Sequence, residues 1–296
     1  MLSKYYKQIY GKQVSAKGDI RPFADVLLKR LQLKYSQVEL AEIQPGGTLG
    51  IFFEAFLDGK KQFIKTHPFG RVYQENILKE IEIMSSIYGN RLQIERETIE
   101  ISNQVLTFMQ MDYLQTSVQR LEPIDIYNCT IDYQKQLSEF RYDVKYKFGE
   151  VIKAGWDSRN YLYAEGCLSK VVYGQLEEAI SYVEKTFRLL PQAICHGDLS
   201  QKNIMYKENG EIVVIDWEDA LVAFPEYDFL LWLTFFPQRQ YYKKGFLERF
   251  GISAPFGKYV MALIILIKCN LAYRNGSYKN DSISFNERLE ELNKLA

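Results

Sequence analysis

A chain of 296 residues exceeds what one hydrophobic core comfortably supports, so two lobes are expected. Apolar residues at 47% and charged residues at 25% exclude a largely disordered chain, and 37 basic against 37 acidic side chains exclude a whole-molecule field that gathers nucleic acid or anionic membrane. Two histidines cannot build a multi-histidine metal centre, so any metal must be held mainly by oxygen ligands.

Strands are expected first. A run from Val38 to Ile43 meets the glycine-rich turn Pro45-Gly46-Gly47-Thr48-Leu49-Gly50, continues from Ile51 to Phe56, turns at Asp58-Gly59 and resumes from Gln62 to Lys65. Ile77, Ile81, Met84 and Ile87 then recur at helical spacing, with Gly89-Asn90 as a stop. Another strand signal, Val105 to Met111, precedes Asp112-Tyr113-Leu114, so strands with one helix are expected over roughly the first 112 residues. The remainder reads as mostly helical. Leu176, Ala179, Ile180, Val183, Phe187 and Leu190 form one apolar stripe ended by Pro191, and later helices are expected over Tyr259 to Asn270 and Asn286 to Leu295.

The one strand-rich island of this half, Ala193 to Asp216, carries the strongest signal. Asn209-Gly210 favours a two-residue type I′ hairpin loop between Ile204-Met205-Tyr206 and Ile212-Val213-Val214-Ile215. That register sets Asn203 opposite Asp216; a three-residue loop slips the register by one but keeps the two near each other. An amide oxygen and a carboxylate converging at a hairpin end suit Mg²⁺, with water and phosphate oxygens completing the shell. Asp198 precedes Asn203 by five residues and leads to the same end, free to face an acceptor hydroxyl. Asn and Asp also serve at strand ends as plain turn formers, which is the duller reading of each residue alone.

The ordered set His196-Gly197-Asp198, Asn203 and Ile215-Asp216-Trp217-Glu218 resembles the catalytic loop and metal-binding segment of the aminoglycoside phosphotransferase and choline kinase branch of the protein-kinase-like fold. The resemblance covers about residues 40–230. It implies an α+β bilobal protein-kinase-like fold, with an antiparallel-sheet N-lobe over 1–112 that binds nucleotide and a mainly helical C-lobe over 113–296 that carries catalysis and the acceptor. It further implies Asp198 as catalytic base or hydroxyl-orienting group, Asn203 and Asp216 as Mg²⁺ ligands, and His196 as a structural member of its loop. In the first lobe Gly46, Gly47 and Thr48 match the phosphate-covering turn, and Lys65 matches the strand lysine. Glu80 matches its helix partner, in preference to Glu75 and Glu82. Met111, Asp112 and Tyr113 match the hinge whose backbone meets adenine.

The implied activity is ATP- and Mg²⁺-dependent transfer of a γ-phosphate to a small-molecule hydroxyl on an amino alcohol such as choline or ethanolamine, an aminoglycoside or a sugar. Ser200 stands where protein kinases carry lysine, and no Ala-Pro-Glu segment follows Trp217, which favours a small acceptor. Glu218 and Asp219 can attract amino groups, and aromatic faces such as Trp156 and Tyr161 can attract quaternary ammonium, although most aromatics are expected in the core. Asp228 reads as an N-cap or loop brace. The alternative is a catalytically idle kinase-like binding module of an envelope or spore coat. Cys129, Cys167, Cys195 and Cys269 lack C-x-x-C spacing and read as buried, reduced thiols. The N-terminal residues show no apolar signal region, and the apolar runs Tyr259 to Ile267 and Phe229 to Phe236 are too short to cross a bilayer. The expectation is a cytoplasmic protein with no nucleic-acid partner and no membrane insertion; the oligomeric state is not read from the sequence.

Overall fold

The computed structural model describes residues 1, 5, 21–35, 37–40, 51–57, 59–67, 71–101, 103–116, 121–140, 144, 146–277 and 284–295. The chain forms two compact units, each assembled from non-contiguous segments rather than divided by one cut after Asp112. One comprises Gln13–Gln119 with Lys202–Glu218, and the other Met1–Lys12, Arg120–Gln201 and Asp219–Ala296.

The first unit is built on an antiparallel sheet of β1 (Gln37–Leu40), β2 (Ile51–Leu57), β3 (Lys60–Thr66), β4 (Ile94–Ile101) and β5 (Gln104–Asp112), in the order β1-β2-β3-β5-β4. Period-two alternation divides its faces. Ile51, Phe53, Ala55, Ile64, Leu106 and Phe108 point to one side, where they pack with Ala24, Leu27 and Leu31 of α1 (Arg21–Leu31). This second helix was not expected in the strand-rich half; its signal is the short stripe Ala24, Leu27, Leu28 and Leu31. The expected helix, α2 (Arg71–Tyr88), packs near β4 and β5 and stops where Gly89 takes φ +50°. β4 was also missed, because its alternating Glu95, Glu97 and exposed neighbours suit an edge strand but dilute the apolar pattern.

A small second sheet in this unit joins β6 (Gln115–Thr116), β9 (Ile204–Tyr206) and β10 (Ile212–Val214) in the order β10-β9-β6. The hairpin register is the slipped one. Ile212 faces Tyr206 and Val214 faces Ile204, so Asn203 lies opposite Ile215 instead of Asp216. Only Gly210 of the Asn-Gly pair takes positive φ, at +84°, whereas a type I′ turn needs both. The Gly210 amide donates to the Lys207 carbonyl at 2.9 Å and the Asn209 side chain accepts the Glu211 amide at 3.0 Å, which closes a three-residue loop.

The other unit holds α3 (Pro123–Gln136), α4 (Phe148–Ala164), α5 (Lys170–Thr186), α6 (Tyr227–Leu233), α7 (Ala254–Arg274) and α8 (Phe285–Glu290). It also holds a sheet of β7 (Tyr146–Lys147), β11 (Leu221–Ala223) and β8 (Ala193–Cys195), with β11 central. α7 is long and apolar enough to cross a membrane by length and composition, yet every residue from Val260 to Ile267 is buried among α4, α5, α6 and α8. Helices that are apolar all round behave this way at the centre of a helical unit. All four cysteines are free thiols; Cys195 and Cys269 are buried, but Cys129 and Cys167 are only partly so, which corrects the expectation of four buried thiols.

Candidate active site

Lys65 lies on the sheet face opposite the α1 core, near the end of β3, and is 3% exposed. Its Nζ donates to Glu80 Oε2 at 2.7 Å and to Asp216 Oδ1 at 2.6 Å. The Asp216 amide in turn donates to Glu80 Oε1 at 3.0 Å, so one α2 carboxylate ties the strand lysine to Asp216, two residues past the end of β10. Burial lowers the lysine's pKa, but the carboxylates of Asp216 and Glu80 more than offset it and keep the ammonium charged. Burial pushes the Glu80 carboxyl up, against the pull of Lys65. Glu75 and Glu82, the other candidates for this role, are exposed.

Asp216 adopts φ +69°, a left-handed conformation uncommon for a residue with a side chain. Such conformations persist where surroundings hold them, and here the Glu80 bond to the Asp216 amide does so. Asn203 is brought alongside by the slipped register, since the Ile215 amide donates to the Asn203 carbonyl at 3.0 Å. The residues available as oxygen donors at this hairpin end are Asn203, with an amide, and Asp216, with a carboxylate. Among the described residues no cluster of three or more His, Cys, Asp or Glu side chains is placed to hold a metal. The Asn-Asp pair suits Mg²⁺, which binds through few protein oxygens and keeps water and phosphate in its shell, and suits zinc poorly.

Gly46, Gly47 and Thr48 lie outside the described residues. Met111 sits in β5, paired with Phe63 and Ile94. The Asp112 amide donates to the Gln93 carbonyl at 3.2 Å, while its carboxylate accepts the Gln93 amide at 3.1 Å. Tyr113 is capped by the Lys61 ammonium, 3.8 Å from its ring centroid.

In the helical unit, the His-Gly-Asp loop follows β8. Asp228, fully buried in the first turn of α6, clamps it. Its Oδ2 accepts the His196 amide at 2.6 Å and the Tyr133 hydroxyl at 2.5 Å, and its Oδ1 accepts the Gly197 amide at 2.9 Å. Asp228 is thus a loop brace; Glu226, not Asp228, is the helix N-cap. Burial and the Asp228 charge push the Tyr133 phenol well up, which keeps it a donor. His196 is buried and its Nδ1 accepts the Asp198 amide at 3.2 Å, a loop-fixing position. Gly197 takes φ +82°, and a Cβ there would stand 2.1 Å from the Asp219 carbonyl oxygen. These constraints present Asp198, whose side chain is 20% exposed. The Met1 amino nitrogen lies 3.3 Å from Asp198 Oδ1 and also donates to Asp219 Oδ2. Tyr133 had no sequence signal, because its partner stands 95 residues away.

Residues 149–260 match the family model described as the phosphotransferase enzyme family. The RIO-type serine/threonine-protein kinase Rio2 of Methanocaldococcus jannaschii is 25% identical over 250 residues, which cover 82% of this chain and 80% of that protein. Among solved structures, aminoglycoside phosphotransferase APH(4)-Ia superposes with a TM-score of 0.58 at 13% identity, covering 92% of this chain and 99% of its own. A choline/ethanolamine kinase family protein from Mesorhizobium loti gives 0.54 at 16% identity, with 92% of each chain covered. The choline kinase LicA from Streptococcus pneumoniae gives 0.52 at 15% identity, covering 90% of this chain and 98% of its own. By sequence over residues 149–260 and by fold over nine-tenths of its length, the chain resembles the phosphotransferase enzyme family, with the protein-kinase-like fold of aminoglycoside phosphotransferases and choline kinases.

Proposed function

We propose that the protein is a cytoplasmic phosphotransferase that moves the γ-phosphoryl group of ATP to a hydroxyl of a small molecule. The observation that carries this reading is the buried Lys65, held between Glu80 and Asp216 within one unit. A lysine kept charged in a dry site, with a fixed carboxylate behind it, positions phosphate oxygens and stabilises their charge. Two similar solved structures support the nucleotide: thermostable mutants of APH(4)-Ia were obtained with ADP and hygromycin B, and with AMP-PNP and hygromycin B.

In this mechanism Lys65 exchanges Asp216 for phosphate oxygens, which frees that carboxylate. Asn203 and Asp216 would hold Mg²⁺, which supplies charge neutralisation across the phosphates. Asp198, fixed by the braced loop, orients the acceptor hydroxyl and takes up its proton. Transfer of this kind asks the protein mainly for positioning and charge stabilisation.

The acceptor is an alcohol that bears an amine. The carboxylates of Asp198 and Asp219 converge on one nitrogen position, a setting that suits an ammonium group. Two of the aromatic faces expected to attract quaternary ammonium are occupied by the chain's own arginines: Arg159 lies 5.3 Å from the Trp156 centroid and Arg274 lies 3.5 Å from that of Tyr161. Ethanolamine and aminoglycosides should therefore outperform choline and sugars. The similarity to Rio2 favours a second reading, a seryl or threonyl hydroxyl on a protein.

Release of ADP from MgATP, measured with ethanolamine, choline, aminoglycosides, simple sugars and protein substrates, separates these readings. Asp198→Asn should lower turnover by at least about 100-fold, the scale of general acid–base catalysis, while nucleotide affinity stays within about twofold. Wild-type turnover in that variant would remove Asp198 from the mechanism. Nucleotide binding without turnover on any acceptor would favour the idle binding module instead.

A further inference from the structure

A cavity of about 200 Å³ lies in the helical unit among α5, α7, α8 and the C-terminal turn Glu291–Leu295, and none of the residues placed in the active site lines it. Its floor is apolar. Leu176 and Ala179 of α5 meet Ala262 of α7 there, and all three are buried. Paired helices ordinarily fill the space between them with interdigitating side chains, and voids larger than a water molecule are few. Two alanines on neighbouring helices leave that space open. Tyr259 also lines the cavity, its ring fixed by an edge contact with Tyr182 at 5.4 Å between centroids.

The remaining lining residues carry charge of both signs. Lys258 Nζ donates to Asn293 Oδ1 at 3.0 Å, a neutral partner, while Glu178 and Glu290 are exposed and join no ion pair among the described residues. One ammonium and two carboxylates around an apolar floor complement a ligand that bears both charges beside an apolar group. A lone amine would be repelled by Lys258, and a lone acid by the two glutamates. An apolar cavity of about 150 Å³ already holds a benzene ring, so this one has room for an aromatic side chain. We propose that the cavity is a binding site for a free aromatic α-amino acid, with its carboxylate on Lys258, its ammonium toward Glu178 and Glu290, and its ring over Ala179 and Ala262. Phenylalanine has no hydroxyl to phosphorylate, so its binding is distinct from use as an acceptor.

Titration calorimetry of the full chain with L-phenylalanine, L-tryptophan, phenethylamine, 3-phenylpropionate and glycine tests it. At least one of the two aromatic amino acids should bind, and the amine, the acid and glycine should each bind at least about tenfold more weakly, because each lacks one of the three matched groups. Lys258→Gln should weaken the amino acid by at least about threefold, the upper range for a partly exposed charge pair. Ala262→Leu, which fills the floor, should abolish binding. If Ala262→Leu does not fold, Lys258→Gln decides alone: weakened binding supports the site and unchanged binding overturns it. Absence of binding by both aromatic amino acids overturns the proposal, as does any of the three partial ligands binding within tenfold of them, or unchanged affinity in a folded Ala262→Leu. No nucleotide enters the measurement, so failure of the phosphotransferase reading leaves this site standing, and loss of this site leaves that reading untouched.

Discussion

Asp228 shows how much one buried carboxylate can organise. Three donors converge on its two oxygens: the amides of His196 and Gly197, and the Tyr133 hydroxyl. An ionised carboxylate is an acceptor only, so it satisfies all three, whereas a neutral amide presents an NH₂ group to at least one of them. Asp228→Asn should therefore cost about 3 kcal/mol of stability, the scale of a hydrogen bond to a charged group together with an unsatisfied buried donor. Turnover should fall by more than tenfold as the Asp198 loop loosens, while MgADP affinity, which the proposed mechanism assigns to Lys65, should stay within about threefold. A variant equal to wild type in urea midpoint and turnover would show that the loop is held by other means. Residue spacing made part of this site legible. Lys65 and Glu80 stand where a strand lysine and a helix carboxylate are fifteen positions apart, and they meet at 2.7 Å. The brace was legible only as one of two options for Asp228, and its Tyr133 partner was not legible at all, because contacts across 95 residues leave no periodic trace.

At the scale of elements, the β9–β10 hairpin separates what composition decides from what it leaves open. The Asn209-Gly210 pair announces a turn, and a turn is present. Its type follows from which residues take positive φ, and only Gly210 does. The one-residue slip moves Asp216 out of direct opposition to Asn203, but the Ile215 to Asn203 bond preserves their proximity. Space around Gly210 is open, so Gly210→Ala pays only for the left-handed backbone, about 1–2 kcal/mol. Chemical denaturation should report that loss, and a stabilised variant would contradict the assigned turn. α1 and β4 were missed for a related reason: a short amphipathic helix and a charged edge strand each bury one narrow face, which weakens the pattern that identifies them.

The C-terminal turn Glu291–Leu295 is anchored differently, by a two-pronged pairing of Arg239 with the Glu291 carboxylate at 2.5 Å. This hydrogen bonding, opposed by partial burial, holds the Glu291 carboxyl below its ordinary value of 4.5. A carboxylate lowered on folding stabilises the native state fully above the unfolded value and loses that contribution as pH falls through the folded value. Glu291→Gln should thus be less stable than wild type at pH 7 by up to about 1 kcal/mol. The gap should narrow as the pH falls below about 4.5 and close once it has passed the lowered folded value. Equal urea midpoints at pH 7 would show that the pair contributes nothing.

Across the whole molecule, the chain order conceals which residues belong together. Lys202–Glu218 folds with Gln13–Gln119, so the sheet unit is completed by a segment that arrives more than eighty residues later. The change from strand to helix along the sequence suggests two lobes, but only contacts reveal this late return. The return is well bonded. The Val214 amide donates to the Tyr88 hydroxyl at 2.6 Å, Arg91 pairs with Glu211 at 2.9 Å, and Lys79 Nζ donates to the Glu218 carbonyl at 2.7 Å. Without the hairpin, Lys65 would keep Glu80 but lose Asp216, and an ion pair mostly removed from water would be left with incomplete partners. A fragment of residues 13–119 should therefore unfold with low cooperativity. Joining residues 202–218 to it through a flexible linker should restore a single transition, because the linker replaces a long loop closure with a short one. Urea titration followed by circular dichroism measures both. If the fragment alone unfolds as sharply and at the same midpoint as the joined form, the hairpin is an accessory to the sheet and the buried lysine does not depend on it.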